Sequence, residues 1–204
     1  MLPRALLIDL LMATMDSITT WSEAAGDRDL GLAWRDAVTA RMIEAGRYTS
    51  YDALVADAAD ELGLPPEAPA ALRATWSRMR AWPDAAALAG VDIPYAFVTN
   101  CSSELAAVAV ERSGLRPAFA VSAEEAGWFK PRREIYLMAA ERLDTGPDTI
   151  RFVAGAAYDA NGASAAGLST VLVARRGRQQ PLNRAISVVD SLLQAVEDVS
   201  PPLA

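Results

Sequence analysis

Ala5-Leu6-Leu7-Ile8-Asp9 decides the fold of this chain: four apolar residues in a row, then a carboxylate. A run this short and this apolar reads as a strand buried on both faces. Strands of that kind belong to parallel sheets covered by helices, and ligands there bind outside the carboxyl ends of the strands. Asp9 therefore stands where such a sheet presents a nucleophile. The next residues, Leu10-Leu11-Met12-Ala13-Thr14, are apolar where a phosphate-handling loop offers Gly, Asp or Ser.

Working outward, the following seventy or so residues read as helices. Leu32 to Ile43 has helical periodicity. Tyr51, Leu54, Val55, Ala58 and Leu62 recur at i, i+3, i+4, i+7 and i+11, with Gly63 as a stop. Pro65, Pro66 and Pro69 mark a turn before a helix around Leu72 to Met79, and Trp82-Pro83-Asp84 opens another. From Tyr95 the pattern alternates. Strands are read at 95–98, 119–121, 150–153 and 170–173, and helices at 103–112, 132–143, 159–166 and 185–196. Alternation of this kind means βαβ units. The expected fold is α/β: a Rossmann-like parallel sheet core with a small helical cap inserted after the first strand. The core takes 1–14 and 83–204, and the cap 15–82.

Composition narrows the chemistry. The chain has 204 residues, 52% of them hydrophobic and 22% charged, enough for a substantial core. A net charge of -7 argues against nucleic-acid and anionic-membrane partners. There is no histidine, so Ser-His-Asp and Cys-His machinery is excluded, and so is a His-ligated zinc. The single cysteine, Cys101, can form no disulfide within the chain. No basic leader with a cleavage site is read at the start and no stretch is long enough to span a bilayer, so a cytoplasmic protein is expected.

In a parallel sheet the residues just past the strand ends share one rim. Here these are Asp9, Thr99 with Asn100, Lys130 and Asp159. Each has a plainer use: Thr99, Asn100 and Asp159 as helix caps, Lys130 as a solvated lysine. Together they put two carboxylates, a lysine and a hydroxyl-amide pair on one edge.

The order strand-Asp, strand-Thr-Asn, Phe-Lys-Pro, strand-loop-Asp resembles the haloacid dehalogenase superfamily across nearly the whole chain. Trp128-Phe129-Lys130-Pro131, with Tyr136 six residues past the lysine, is similar to the L-2-haloacid dehalogenase branch. Trp34-Arg35 in the helical insert resembles that branch too, where an arginine binds the substrate carboxylate; its plainer use is a helix face with a snorkelling arginine. Two departures accompany the likeness. Leu11 stands where phosphatases of the superfamily carry a second aspartate. Leu11-Met12-Ala13 stands where the dehalogenase branch has an aromatic-Gly-Thr, and Ala154 and Ala156 stand where it has Ser and Asn.

The resemblance implies metal-independent hydrolysis, with no cofactor, through an aspartyl ester at the α-carbon of a small 2-substituted carboxylic acid. Asp9 is the implied nucleophile. Lys130 holds it ionised, and Asp159 orients Lys130 or acts as base toward water. Arg35 clamps the substrate carboxylate, Thr99 and Asn100 donate to carboxyl groups, and Tyr136 joins the Lys130 and Asp9 network or is plain core. Leu11, Met12, Trp34 and Tyr158 wall an apolar pocket. Other readings are opening of a strained nitrogen ring such as azetidine-2-carboxylate, a non-hydrolytic member of the fold, and a phosphatase. Dimers are common in that family, which makes a homodimer the assembly it suggests.

Overall fold

The computed structural model describes residues 2–175 and 182–199. Strand β1, Ala5–Asp9, is buried along its whole length. It runs into one turn of π-helix, Leu10–Thr14, closed by the Met15 amide donating to the Leu10 carbonyl at 2.9 Å. Four helices then fill the space before the second strand: α1 (Ser17–Ala25), α2 (Arg28–Ala45), α3 (Tyr51–Glu61) and α4 (Ala68–Trp76). Each of the first three starts on a capping side chain, Asp16, Asp27 and Ser50. Helix α4 begins earlier than the expected 72–79, because Pro69 fits its first turn, where no amide is missed.

A 3-10 segment at Pro83–Gly90 leads to β2 (Tyr95–Thr99). Then come α5 (Ser103–Ser113), β3 (Ala120–Ser122), α6 (Ala123–Ala126), α7 (Arg133–Arg142), β4 (Ile150–Ala154), α8 (Ala157–Ala165) and β5 (Ser169–Val173). The expected helix over 185–196 is corrected: Ser187–Val189 forms β6, and only Leu192–Val196 is helical, as α9. Val188 and Val189 pair along the open edge of β5, and Ser191 then caps the short helix. The expected core segment 83–204 includes 176–181 and 200–204, which lie outside the described residues, as does Met1.

All strand pairs are parallel, in the order β3-β2-β1-β4-β5-β6. This is the α/β Rossmann-like sheet that the alternation implied. β1 lies between β2 and β4, so the chain reverses its direction of travel across the sheet beside β1, and a crevice opens at the strand ends there. Asp9 sits at that crevice. Among the described residues no helix is long and apolar enough to cross a membrane.

Candidate active site

The π-turn after β1 folds its own backbone over Asp9. The amides of Met12 and Ala13 donate to Asp9 Oδ2 at 2.9 and 3.0 Å. Lys130 reaches Asp9 Oδ1 at 2.7 Å from the segment between α6 and α7. The same Nζ donates to Asp159 Oδ2 at 2.7 Å and to the Val98 carbonyl at 3.2 Å, which uses all three of its protons. Asn100 grips the Lys130 backbone from both sides, accepting from its amide at 2.7 Å and donating to its carbonyl at 3.1 Å.

Asp159, in the first turn of α8, is 1% exposed. Tyr136 donates to its Oδ1 at 2.7 Å, so both of its oxygens are engaged within the protein. Burial pushes the Asp159 carboxyl up to about 6, although Lys130 pulls the other way. Burial also works against the Lys130 ammonium, but the carboxylates of Asp159 and Asp9 outweigh it and hold the group charged well above the ordinary lysine range. The cluster thus sets two carboxylates against one ammonium, with Lys130 and Asp159 buried and Asp9 at the edge of the pocket.

The space in front of Asp9 is small, about 40 Å³. Leu11, Met12, Trp21, Val38 and Met42 supply apolar walls, and Arg35, Tyr51, Asn100 and Tyr158 supply polar atoms. Desolvation pushes the Tyr158 phenol up to about 12 and the Tyr51 phenol well above its usual range, so both stay protonated as donors. A wider cleft of about 270 Å³ adjoins it, sharing Met12, Arg35, Thr39 and Tyr158 and bounded by Gly155–Ala157 and Leu172–Ala174.

Of the residues singled out in the sequence, Asp9, Lys130 and Asp159 form one bonded cluster, and Asn100, Arg35, Leu11, Met12 and Tyr158 lie at its mouth. Three lie elsewhere. Trp34 is fully buried and does not line the pocket; its Nε1 donates to the Val55 carbonyl and its ring meets Trp21 edge-on. On α2 the inward stripe is Gly31, Trp34, Val38 and Met42, which turns Arg35 and Thr39 toward the cleft. Tyr136 stands behind Asp159, fully buried against Phe152. Thr99 pairs with Cys101 Sγ at 3.5 Å instead of a carboxyl group. Trp21 and Tyr51, which the sequence did not flag, take the wall that Trp34 was expected to form. The signal for Tyr51 was present in its place on the apolar stripe of α3.

The donor set does not suit magnesium, the metal of phosphatases in the superfamily that the sequence resembles. Such an ion needs several hard oxygens around it. Here an ammonium lies within 2.7 Å of both carboxylates, Leu11 brings no oxygen, and among the described residues no three His, Cys, Asp or Glu side chains gather closely enough to hold a metal.

No protein-family model matches the chain. Over 111 residues it is 31% identical to (S)-2-haloacid dehalogenase 1 of Pseudomonas sp. strain CBS-3, covering 52% of this chain and 49% of that protein. Over 112 residues it is 30% identical to (S)-2-haloacid dehalogenase 4A of Burkholderia cepacia, covering 52% and 48%. The chain thus spans about half the length of the curated relatives it matches. Among solved structures, a dehalogenase with an intermediate complex superposes with a TM-score of 0.83 at 23% identity, over 98% of both chains.

Proposed function

We propose that the chain is a member of the haloacid dehalogenase superfamily, on its haloacid dehalogenase-like branch, and a metal-independent hydrolase that displaces a leaving group from the α-carbon of a small 2-substituted carboxylic acid; the half-length likeness to two (S)-2-haloacid dehalogenases supports the reading. One observation carries the reading. Asp9 Oδ2 accepts two backbone amides while Oδ1 accepts only Lys130, which leaves a lone pair on Oδ1 for attack.

In the first step Oδ1 bonds to the α-carbon and the leaving group departs with its electron pair. The substrate carboxylate is held by the Arg35 guanidinium at the mouth of the pocket, where it also offsets the excess negative charge of the cluster. In the second step water adds to Cγ of the ester, and the negative charge on Oδ2 falls to the amides of Met12 and Ala13, a two-donor oxyanion hole. The bond between Cγ and the ester oxygen then breaks. The product hydroxyl keeps Oδ1 and one water proton, the other proton leaves to solvent, and Asp9 keeps the water oxygen. Asp159 serves this cycle by orienting and charge-balancing Lys130; both of its oxygens are committed, which favours that role over contact with water.

The test is to incubate the protein with 2-chloropropionate in 18O water. Halide release with label entering Asp9 over multiple turnovers is expected. Halide release with label only in the product rejects the ester route. Ala154 and Ala156 beside the cleft support a second reading, in which the fold is used without hydrolysis. It is recognised by a protein that forms no product at all or stops at a stable ester. A homodimer and a cytoplasmic setting are part of the same proposal, and chromatography of the purified chain tests the first.

A further inference from the structure

The carbonyls of the π-turn have partners as specific as its amides. Trp82 Nε1 donates to the Met12 carbonyl at 3.1 Å, and the Trp82 amide donates to the Thr14 carbonyl at 2.9 Å. The Arg175 guanidinium, at the end of β5, donates to the Ala13 carbonyl at 2.7 Å from Nη2 and 3.3 Å from Nε. The last three carbonyls of the turn are thus all capped. Arg175 is itself fixed: Asp84 accepts from it twice, at 3.0 and 2.7 Å, and its guanidinium lies 5.0 Å from the centre of the Trp82 ring. Asp84 in turn accepts the Leu192 amide at 2.8 Å. The Arg175 side chain is 9% exposed.

One of these contacts bears on Asp9 through a single peptide unit, and the other holds the next unit of the same turn. The Met12 carbonyl that Trp82 holds belongs to the same peptide as the Ala13 amide that donates to Asp9 Oδ2. A donor on the carbonyl side polarises the unit and strengthens its N–H as a donor. The cation of Arg175 sits at the carbonyl end of the helical turn, where positive charge is favoured, and Asp9 sits at the amide end.

We propose that Trp82 and Arg175 are positioning residues that set the Met12 and Ala13 amides on Asp9 Oδ2, and that their effect falls mainly on hydrolysis of the ester. This rests on the aspartyl-ester reading for its kinetic part alone. Trp82 lies in the segment between α4 and β2, so the same contact ties the return from the helical insert to the reacting carboxylate.

The experiment uses Trp82→Phe, Arg175→Met and Arg175→Lys in the full chain, with two readouts. In turnover of 2-chloropropionate, the first two variants are expected to slow ester hydrolysis about tenfold, short of the roughly 10²–10³-fold cost of losing an oxyanion donor itself. The halide burst should change little, so intact-mass spectra should show an adduct absent from the wild type. Arg175→Lys should restore part of the rate. Equal rates and no adduct overturn the proposal. The second readout is amide exchange at Met12 and Ala13. It should accelerate about tenfold in Trp82→Phe and Arg175→Met while the β1 and β4 amides keep their protection. If the wild type is inert toward the acid, the hydrolase reading fails, and this exchange measurement decides the positioning role by itself: unchanged protection overturns it.

Discussion

Replacing Lys130 by Met keeps most of the side-chain length and removes the cation between two buried carboxylates. Asp9 is 5% exposed and Asp159 1%, so the pair loses the one counter-charge bonded to it among the described residues. The cost depends on pH, and the sign follows from Asp159. In the wild type its carboxyl stands at about 6, above the ordinary 3.8. A raised carboxyl contributes stability that is full below about 3.8 and is lost as pH rises through about 6. Above that the wild-type contribution is flat. Lys130 is raised above 10.5, so its own contribution is full throughout the neutral range. In the variant the attraction that restrained Asp159 is gone, so its carboxyl rises further and keeps its proton to higher pH. Each pH unit over which the folded variant keeps a proton that the unfolded chain has lost costs it about 1.4 kcal/mol, a loss that the wild type does not share above about pH 6. Breaking a buried pair costs about 3–5 kcal/mol in all, so the deficit should grow toward that size between pH 6 and pH 8. Urea unfolding at both values, followed by tryptophan fluorescence, measures it. The chain has no histidine to titrate in this window. A deficit equal at pH 6 and 8 refutes the charge arrangement described for this cluster.

Asp9→Asn should abolish turnover while leaving the melting temperature within a few degrees, and residual product formation would remove Asp9 as nucleophile. Arg35→Ala should raise KM for a carboxylate substrate about 10–100-fold, the loss of a charge-assisted contact worth roughly 1.5–3 kcal/mol, with Arg35→Lys recovering only part; an unchanged KM contradicts the clamp. A Cβ at Gly155 would lie 2.3 Å from the Ala13 amide nitrogen and 2.4 Å from Met12 Cβ. Gly155→Ala should therefore cost about 1–3 kcal/mol in stability and lower kcat, because it displaces the turn that holds Asp9; wild-type denaturation and rate would show that the loop has room. Turnover should be insensitive to EDTA, and activity restored by magnesium would bring back phosphoryl transfer.

Much of this site was legible because its parts lie where short-range patterns end. Asp9 closes an apolar run, Asp159 falls in the first turn of α8, and Lys130 belongs to a compact motif. The parts that were not legible depend on long-range direction. Trp34 and Arg35 are adjacent, and only the packing of α2 against α1 and α3 decides which faces the cleft. Tyr136 keeps its spacing from Lys130 but reaches Asp159 from behind. Thr99 sits at its strand end yet turns to Cys101. Trp82 and Arg175 join the site only through carbonyls 70 and 162 residues away, which no periodicity encodes. The stretch 185–196 misled for a related reason: edge pairing with β5 outweighed its helical spacing.

The apolar residues after Asp9 are reconciled with catalysis by the source of the hydrogen bonds. Met12 and Ala13 serve Asp9 through their backbone amides, which every residue except proline supplies. Their side chains are thereby free of the polar task. Met12 can face the pocket and Ala13 can pack at zero exposure. The demand on sequence moves from side-chain chemistry to backbone placement, and it is met elsewhere in the chain. Gly155 lets the β4 loop approach the turn, while Trp82 and Arg175 hold its carbonyls. Leu11 then has a separate consequence. By lining the pocket with an apolar side chain, it leaves Lys130 as the cation between the two carboxylates, an arrangement that suits the proposed carbon electrophile held by Arg35 better than a metal-held phosphoryl group.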